Sequence, residues 1–146
     1  TALMVQSRGC PARCTFCIWP QTMTGHQHRR RSAKNICDEI EYLKQKYGVD
    51  EVFFDDDTFI IDKKAGMELL NEMINRKLNV PWMCMCRVNS VDNEILAKMK
   101  EAGCTQVYYG FESGSQKILN SIKKGALAAA FNLRFGHKEC RRTDQH

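Results

Sequence analysis

Three thiols fall close together in Cys10-Pro-Ala-Arg-Cys14-Thr-Phe-Cys17. Three intervening residues and then two let a single loop wrap a compact inorganic centre. A structural zinc ion wants four ligands, usually as two paired knuckles, and no fourth is evident nearby. Three thiolates on an iron–sulfur cubane leave one iron open. An open iron can bind and activate a small molecule, as a closed four-cysteine carrier cannot. An adventitious zinc site, or thiols awaiting disulfide formation, are the competing readings.

Other residues able to do chemistry lie at the ends of apolar runs. Asp55-Asp56-Asp57 follow Val49–Phe54 and read either as a divalent-metal site or as a solvated strand end. Arg87 closes a second run and reads as a local ion-pair or capping residue. Glu112 closes a third, where an acid also suits a helix N-terminus. Cys84 and Cys86, two apart, share one face of a strand and with Met83 and Met85 read as core. Cys37 and Cys104 read as structural thiols on helices. Gly25-His26-Gln27-His28-Arg29-Arg30-Arg31 is a basic loop. It suits a phosphate-bearing substrate, an acidic partner, or simple solvation. His26 and His28 are candidate contacts by proximity alone, and Trp19-Pro20 should pack the cysteine loop down.

These positions need a scaffold, and the chain alternates strand and helix. Residues 2–6 predict a buried strand. Ile36, Ile40, Leu43 and Tyr47 recur at helical spacing after Ser32, and Gly48 stops that helix. Val49–Phe54 predict the next strand. Asp62 caps a helix bearing Leu69, Leu70, Met73, Ile74 and Leu78. Pro81 marks entry to a strand at Trp82–Val88. Ser90 is the expected cap of a third helix, with Asp92 and Glu94 in its first turn and Ile95, Leu96 and Met99 on its apolar face; Gly103 ends it. Gln106–Phe111 predict a fourth strand. Ser113-Gly114-Ser115-Gln116 reads as a capping box opening a helix through Ile118, Leu119 and Ile122. The fold class is therefore α/β: four βα units with a parallel sheet, about half of a partial TIM-type barrel. Loops after parallel strands line the functional end of such sheets, and the candidate residues fall on them.

Composition excludes several classes. The chain has 146 residues, 43% hydrophobic and 27% charged, which argues against a disordered chain. No run approaches the ~20 apolar residues of a membrane span. No basic flank precedes an apolar stretch at the N-terminus, so the cytoplasm is expected. Eight cysteines raise the possibility of a disulfide scaffold, which the long amphipathic helices oppose. A net charge of +5 is too mild to indicate nucleic acid. After Lys124 the sequence turns alanine-rich and loses its period. Residues 1–124 read as the domain, and 125–146 as a non-native, vector-derived tail; a terminal helix over Leu127–Phe135 is the alternative.

The cysteine triplet after a first strand resembles the radical S-adenosylmethionine (radical SAM) enzymes. Three segments carry the resemblance: Ser7-Arg8-Gly9-Cys10-Pro11, Phe54-Asp55-Asp56-Asp57-Thr58-Phe59 and Gly110-Phe111-Glu112-Ser113-Gly114-Ser115. They are similar to the branch coupled to cobalamin-binding domains and to the methylthiotransferases. The resemblance covers residues 1 to about 124, the N-terminal half of the family core.

It implies that Cys10, Cys14 and Cys17 each ligate one iron of a [4Fe–4S] cluster. The amino and carboxylate groups of SAM would chelate the fourth. It puts Phe16 near the adenine. The family's usual Gly-Gly-Glu is here Asp55-Asp56-Asp57-Thr58, so Asp57, then Asp56, is expected at the methionine amino group. Glu112 and Ser113 are expected at the ribose or methionine, and Arg87 at the methionine carboxylate. The chemistry implied is reductive cleavage of SAM followed by hydrogen abstraction from a substrate, the protein orienting and shielding the cofactor. Methyl transfer with cobalamin, held in a domain outside this chain, is one outcome. The implied partners are SAM, an unknown substrate and an electron donor, with neither membrane nor nucleic acid. A half-barrel also predicts self-association through exposed sheet edges and little turnover from this chain alone. A non-catalytic iron–sulfur or zinc module, and a thiol-rich structural domain, are the rivals.

Overall fold

The computed structural model describes residues 1–127. In chain order its elements are β1 (Ala2–Met4), β2 (Ser7–Arg8), α1 (Trp19–Thr22), β3 (Arg29–Arg30), α2 (Ala33–Tyr47), β4 (Val52–Phe54), α3 (Lys63–Asn75), β5 (Trp82–Arg87), α4 (Asn93–Glu101), β6 (Cys104–Gly110) and α5 (Gln116–Ser121). β1, β4, β5 and β6 form one parallel sheet in that order. This is the expected α/β series of four βα units. β2 and β3 form a small antiparallel hairpin that frames the cysteine loop. Sequence pattern does not predict the hairpin or α1, because elements of two to four residues carry no readable period.

The helix ends follow local chemistry. Ser32 caps α2 by accepting from the Asn35 N–H, and Gly48 closes it at φ 63°. Asp62 caps α3 through the Lys64 and Ala65 N–H groups. Two expected caps differ. Asp92, not Ser90, caps α4, accepting from the Ile95 N–H; the Ser90 hydroxyl donates to the Arg87 carbonyl instead. The capping box before α5 does not form. The Ser113 hydroxyl accepts from the Ser115 N–H, a local turn that competes with helix capping. Cys104 opens β6 rather than lying on a helix.

Strand alternation divides the sheet into two faces. Met4, Val52, Phe54, Trp82 and Cys84 are buried with Ile36, Ile40, Leu69, Leu70, Ile95 and Met99 of the helices in one core. Each such large side chain contributes roughly 1.5–3 kcal/mol on burial. Phe54, Phe59 and Trp82 stack with centroids 4.9–5.5 Å apart, and the Trp82 indole N–H donates to the Ala102 carbonyl. The opposite face carries Leu3, Phe53, Met85, Tyr108 and Arg87. Phe53 and Tyr108 meet edge to face at 6.0 Å. No helix among the described residues is long and apolar enough to cross a membrane. The alternative helix over 127–135, and Cys140, lie outside the described residues.

Candidate functional site

The cysteine loop leaves β2 through Gly9, whose φ of 91° and crowding permit no side chain. A Cβ there would lie 2.2 Å from the Gln27 carbonyl oxygen. The Cys10 N–H donates to the Gly25 carbonyl at 3.1 Å, and the His26 ring Nδ1 contacts the Cys10 carbonyl at 3.0 Å. Later in the loop, the Thr15 N–H donates to the Ile122 carbonyl at 2.9 Å. Cys10, Cys14 and Cys17 are free thiols. All three line one cavity of about 750 Å³, together with the ends of β4, β5 and β6.

Among the described residues no three His, Cys, Asp or Glu side chains converge as a single metal ion requires. Three thiols on one loop, facing a roomy cavity, fit the donor set of an iron–sulfur cluster that takes one iron per cysteine.

The three aspartates point in different directions. Asp55 is exposed, while Asp56 is 1% exposed. The Ser7 N–H and hydroxyl both donate to Asp56 Oδ1, at 2.6 and 2.7 Å, and the Gln6 N–H donates to Oδ2 at 3.2 Å. Burial pushes the Asp56 carboxyl up to about 6, against those hydrogen bonds. Asp57 accepts from the Gly9 N–H at 3.2 Å, and the Thr58 hydroxyl donates to the Asp57 carbonyl. All three aspartates border the cavity, and two of them also hold the start of the cysteine loop in place.

Arg87, at the end of β5, extends its guanidinium towards the loop. Nη1 donates to Cys14 Sγ at 3.3 Å, and Nη2 to the Lys124 carbonyl. Glu112 stands at φ 65° and accepts from Lys124 Nζ at 2.9 Å. That ammonium lies 5.5 Å from the Phe16 ring centre. Lys124 is 6% exposed and lines the cavity, and no motif in the sequence singles it out. In Ile122-Lys123-Lys124-Gly125 it reads as one of the cations that commonly end a helix. Gly125 and Ala126, the first two residues of the expected tail, are tied in by hydrogen bonds from Asn89 and Gln116 to their carbonyls. Ser113 does not border the cavity.

The basic loop is largely spent on its own fold. Arg29 donates to the Gln27 and Thr24 carbonyls, Arg30 pairs with Glu68 and Arg31 with Glu39. His28 is held below its ordinary value by burial and then by Arg30, and it does not border the cavity. Phe16, Trp19 and Met23 are exposed apolar side chains on the cavity rim. Cys86 also borders the cavity. Cys84 lies behind it in the core, with its thiol pushed up by burial.

The sequence model of the Radical SAM superfamily matches residues 4–132. The chain belongs to the radical SAM superfamily. An uncharacterized methyltransferase of Pyrococcus horikoshii is 36% identical over 123 residues, covering 84% of this chain and 27% of that protein. The cytidylyl-2-hydroxyethylphosphonate methyltransferase of Streptomyces wedmorensis is 35% identical, covering 83% and 22%. Among solved structures, the radical SAM methyltransferase TsrM of Kitasatospora setae, with cobalamin and a [4Fe–4S] cluster bound, superposes with a TM-score of 0.77. It is 21% identical, covering 86% of this radical SAM chain and 26% of TsrM, and this likeness is one of fold. The chain spans about a quarter of the length of these proteins.

Proposed function

We propose that this chain forms the N-terminal part of the core of a radical SAM enzyme, with Cys10, Cys14 and Cys17 ligating three irons of a [4Fe–4S] cluster and SAM bound at the fourth. The observation that carries this reading is the meeting of all three free thiols with the ends of three parallel strands at one cavity. When bound, the cluster supplies the electron for reductive cleavage of SAM.

The chain's own residues bind and orient. Asp57 offers its carboxylate to the methionine amino group, and Asp56 braces the loop from beneath. Phe16 flanks the adenine, with Lys124 beside it. Glu112 serves the ribose or methionine, and Ser113 shapes the turn behind it. Trp19 and Met23 place apolar side chains at the mouth of the cavity. Methyltransferases among the relatives favour methyl transfer as the outcome, with cobalamin on a domain outside this chain and an external electron donor. Seven free cysteines among the described residues suit a reducing compartment, the cytoplasm.

The test is anaerobic reconstitution with iron and sulfide, followed by electron paramagnetic resonance (EPR) of the reduced protein with and without SAM. The expected result is a [4Fe–4S]⁺ signal that SAM alters and that Cys14→Ala abolishes. One tightly held zinc and no cluster would overturn the reading.

A further inference from the structure

We infer that Arg87 raises the reduction potential of the cluster by donating a hydrogen bond to the sulfur of Cys14, a role that rests on the cluster assignment above. The resemblance sends Arg87 to the carboxylate of SAM. The geometry points to the loop instead, since Arg87 Nη1 lies 3.3 Å from Cys14 Sγ.

Arg87 is held at its backbone and at its guanidinium. Its main-chain carbonyl accepts from the Ser90 N–H at 3.0 Å and the Ser90 hydroxyl at 2.8 Å. Its second arm, Nη2, donates to the Lys124 carbonyl. The next residue, Gly125, is fixed by Asn89, whose side-chain N–H donates to the Gly125 carbonyl at 2.6 Å. A planar fork with one arm committed to a carbonyl aims its other arm in a fixed direction.

Its charge is also available. Among the described residues no carboxylate forms an ion pair with Arg87, whereas the neighbouring cation Lys124 is paired with Glu112. A positive charge donating to a ligand sulfur favours whichever cluster state is more negative. Uptake of one electron from a reductant makes the reduced state the more negative one, and no bond in the protein breaks. Hydrogen bonds to ligand sulfurs and local net charge are established controls of iron–sulfur potentials.

The test is an EPR-monitored redox titration with dithionite, without SAM, on the full reconstituted chain. Arg87→Met should lower the equilibrium constant for reduction about tenfold, which for a one-electron couple moves the midpoint about 59 mV more negative. Arg87→Lys, which keeps the charge and loses the fork, should fall between the two. If Arg87→Met does not take up iron, Arg87→Gln is titrated in its place, and its midpoint should also be more negative than wild type. A wild-type midpoint in the charge-free variant overturns the inference. So does an unchanged midpoint accompanied by loss of the SAM effect on the spectrum, which returns Arg87 to the carboxylate of SAM. Failure of the wild-type chain to assemble any cluster is a different result and overturns the cluster reading itself.

Discussion

Ser7 gives both its backbone N–H and its hydroxyl to one oxygen of Asp56, at 2.6 and 2.7 Å, across 49 residues of sequence. With Gln6 on the other oxygen, this carboxylate ties the end of β4 to the chain just before the cysteines. Asp56→Ala leaves three donors without a partner in a site that is 1% exposed. Stranded buried donors cost about 1–3 kcal/mol each, and relaxation recovers part of that. We expect a loss of roughly 3 kcal/mol in urea unfolding, and a smaller loss for Asp56→Asn, which still offers Ser7 an acceptor. A wild-type midpoint for Asp56→Ala would show that the bridge is ornamental.

The same residue gives stability a pH dependence. Its folded value of about 6 stands above its ordinary 3.8, so the folded protein binds this proton more tightly than the unfolded chain. The stabilisation is fully present below about pH 4 and is lost as pH rises through about 6. At about 1.4 kcal/mol per unit, the swing is roughly 3 kcal/mol. Asp38 and Asp92 are held below the ordinary range, by Lys34 and by the Ile95 N–H respectively, and tilt the total curve the other way at lower pH. The quantity to measure is therefore the difference between wild type and Asp56→Asn. That difference should move against wild type between pH 4 and 6.5; parallel curves would contradict the assignment.

The inward turn of Asp56 is legible in the sequence. Phe54 is buried, Asp55 exposed and Asp56 buried, which is strand alternation continued past the end of β4. The cysteine triplet and α2 were legible for the same kind of reason: fixed spacing in one case, and a Ser32 start with a Gly48 stop in the other. Lys124 was not. Its partners Glu112 and Phe16 lie 12 and 108 residues away, and only the return of the chain across the cysteine loop brings them together. The contact of Arg87 with Cys14 spans 73 residues and left no local trace either. Ser90 and Ser113 close turns where helix caps are expected, because a serine can do either and sequence alone does not choose.

Gly9 and Gly25 offer a matched pair. Both have positive φ, 91° and 75°, but a Cβ at Gly9 meets the Gln27 backbone at 2.2 Å while one at Gly25 meets nothing within 4 Å. Gly25→Ala should cost about 1 kcal/mol, the strain of a left-handed residue. Gly9→Ala must also move the backbone beside Cys10, so it should cost clearly more and reduce iron bound per chain after reconstitution. Equal losses in unfolding and in iron content would mean that the loop yields freely at Gly9.

The cysteines should separate into two classes. Cys84 is fully buried in the core, so Cys84→Ala removes packing and should cost about 1 kcal/mol while iron content stays at the wild-type level. Cys14→Ala should do the reverse, with little change in unfolding of the apo chain and loss of the cluster. Iron analysis and apo-protein melts on the two variants decide this, and loss of iron in Cys84→Ala would shift part of the ligand set to the core thiols.

The sheet's outer strands carry the last expectation. Among the described residues β1 pairs only with β4, and β6 only with β5. Leu3 on β1 is 72% exposed, on the face opposite the buried Met4. Unpaired strand edges beside exposed apolar side chains invite pairing with another copy. This 146-residue chain should therefore associate as its concentration rises in sedimentation velocity, and Leu3→Lys, which puts a charge on that edge, should shift the distribution back toward monomer. Monomer throughout a broad concentration series would mean that the edge strands are too short and twisted to recruit a partner.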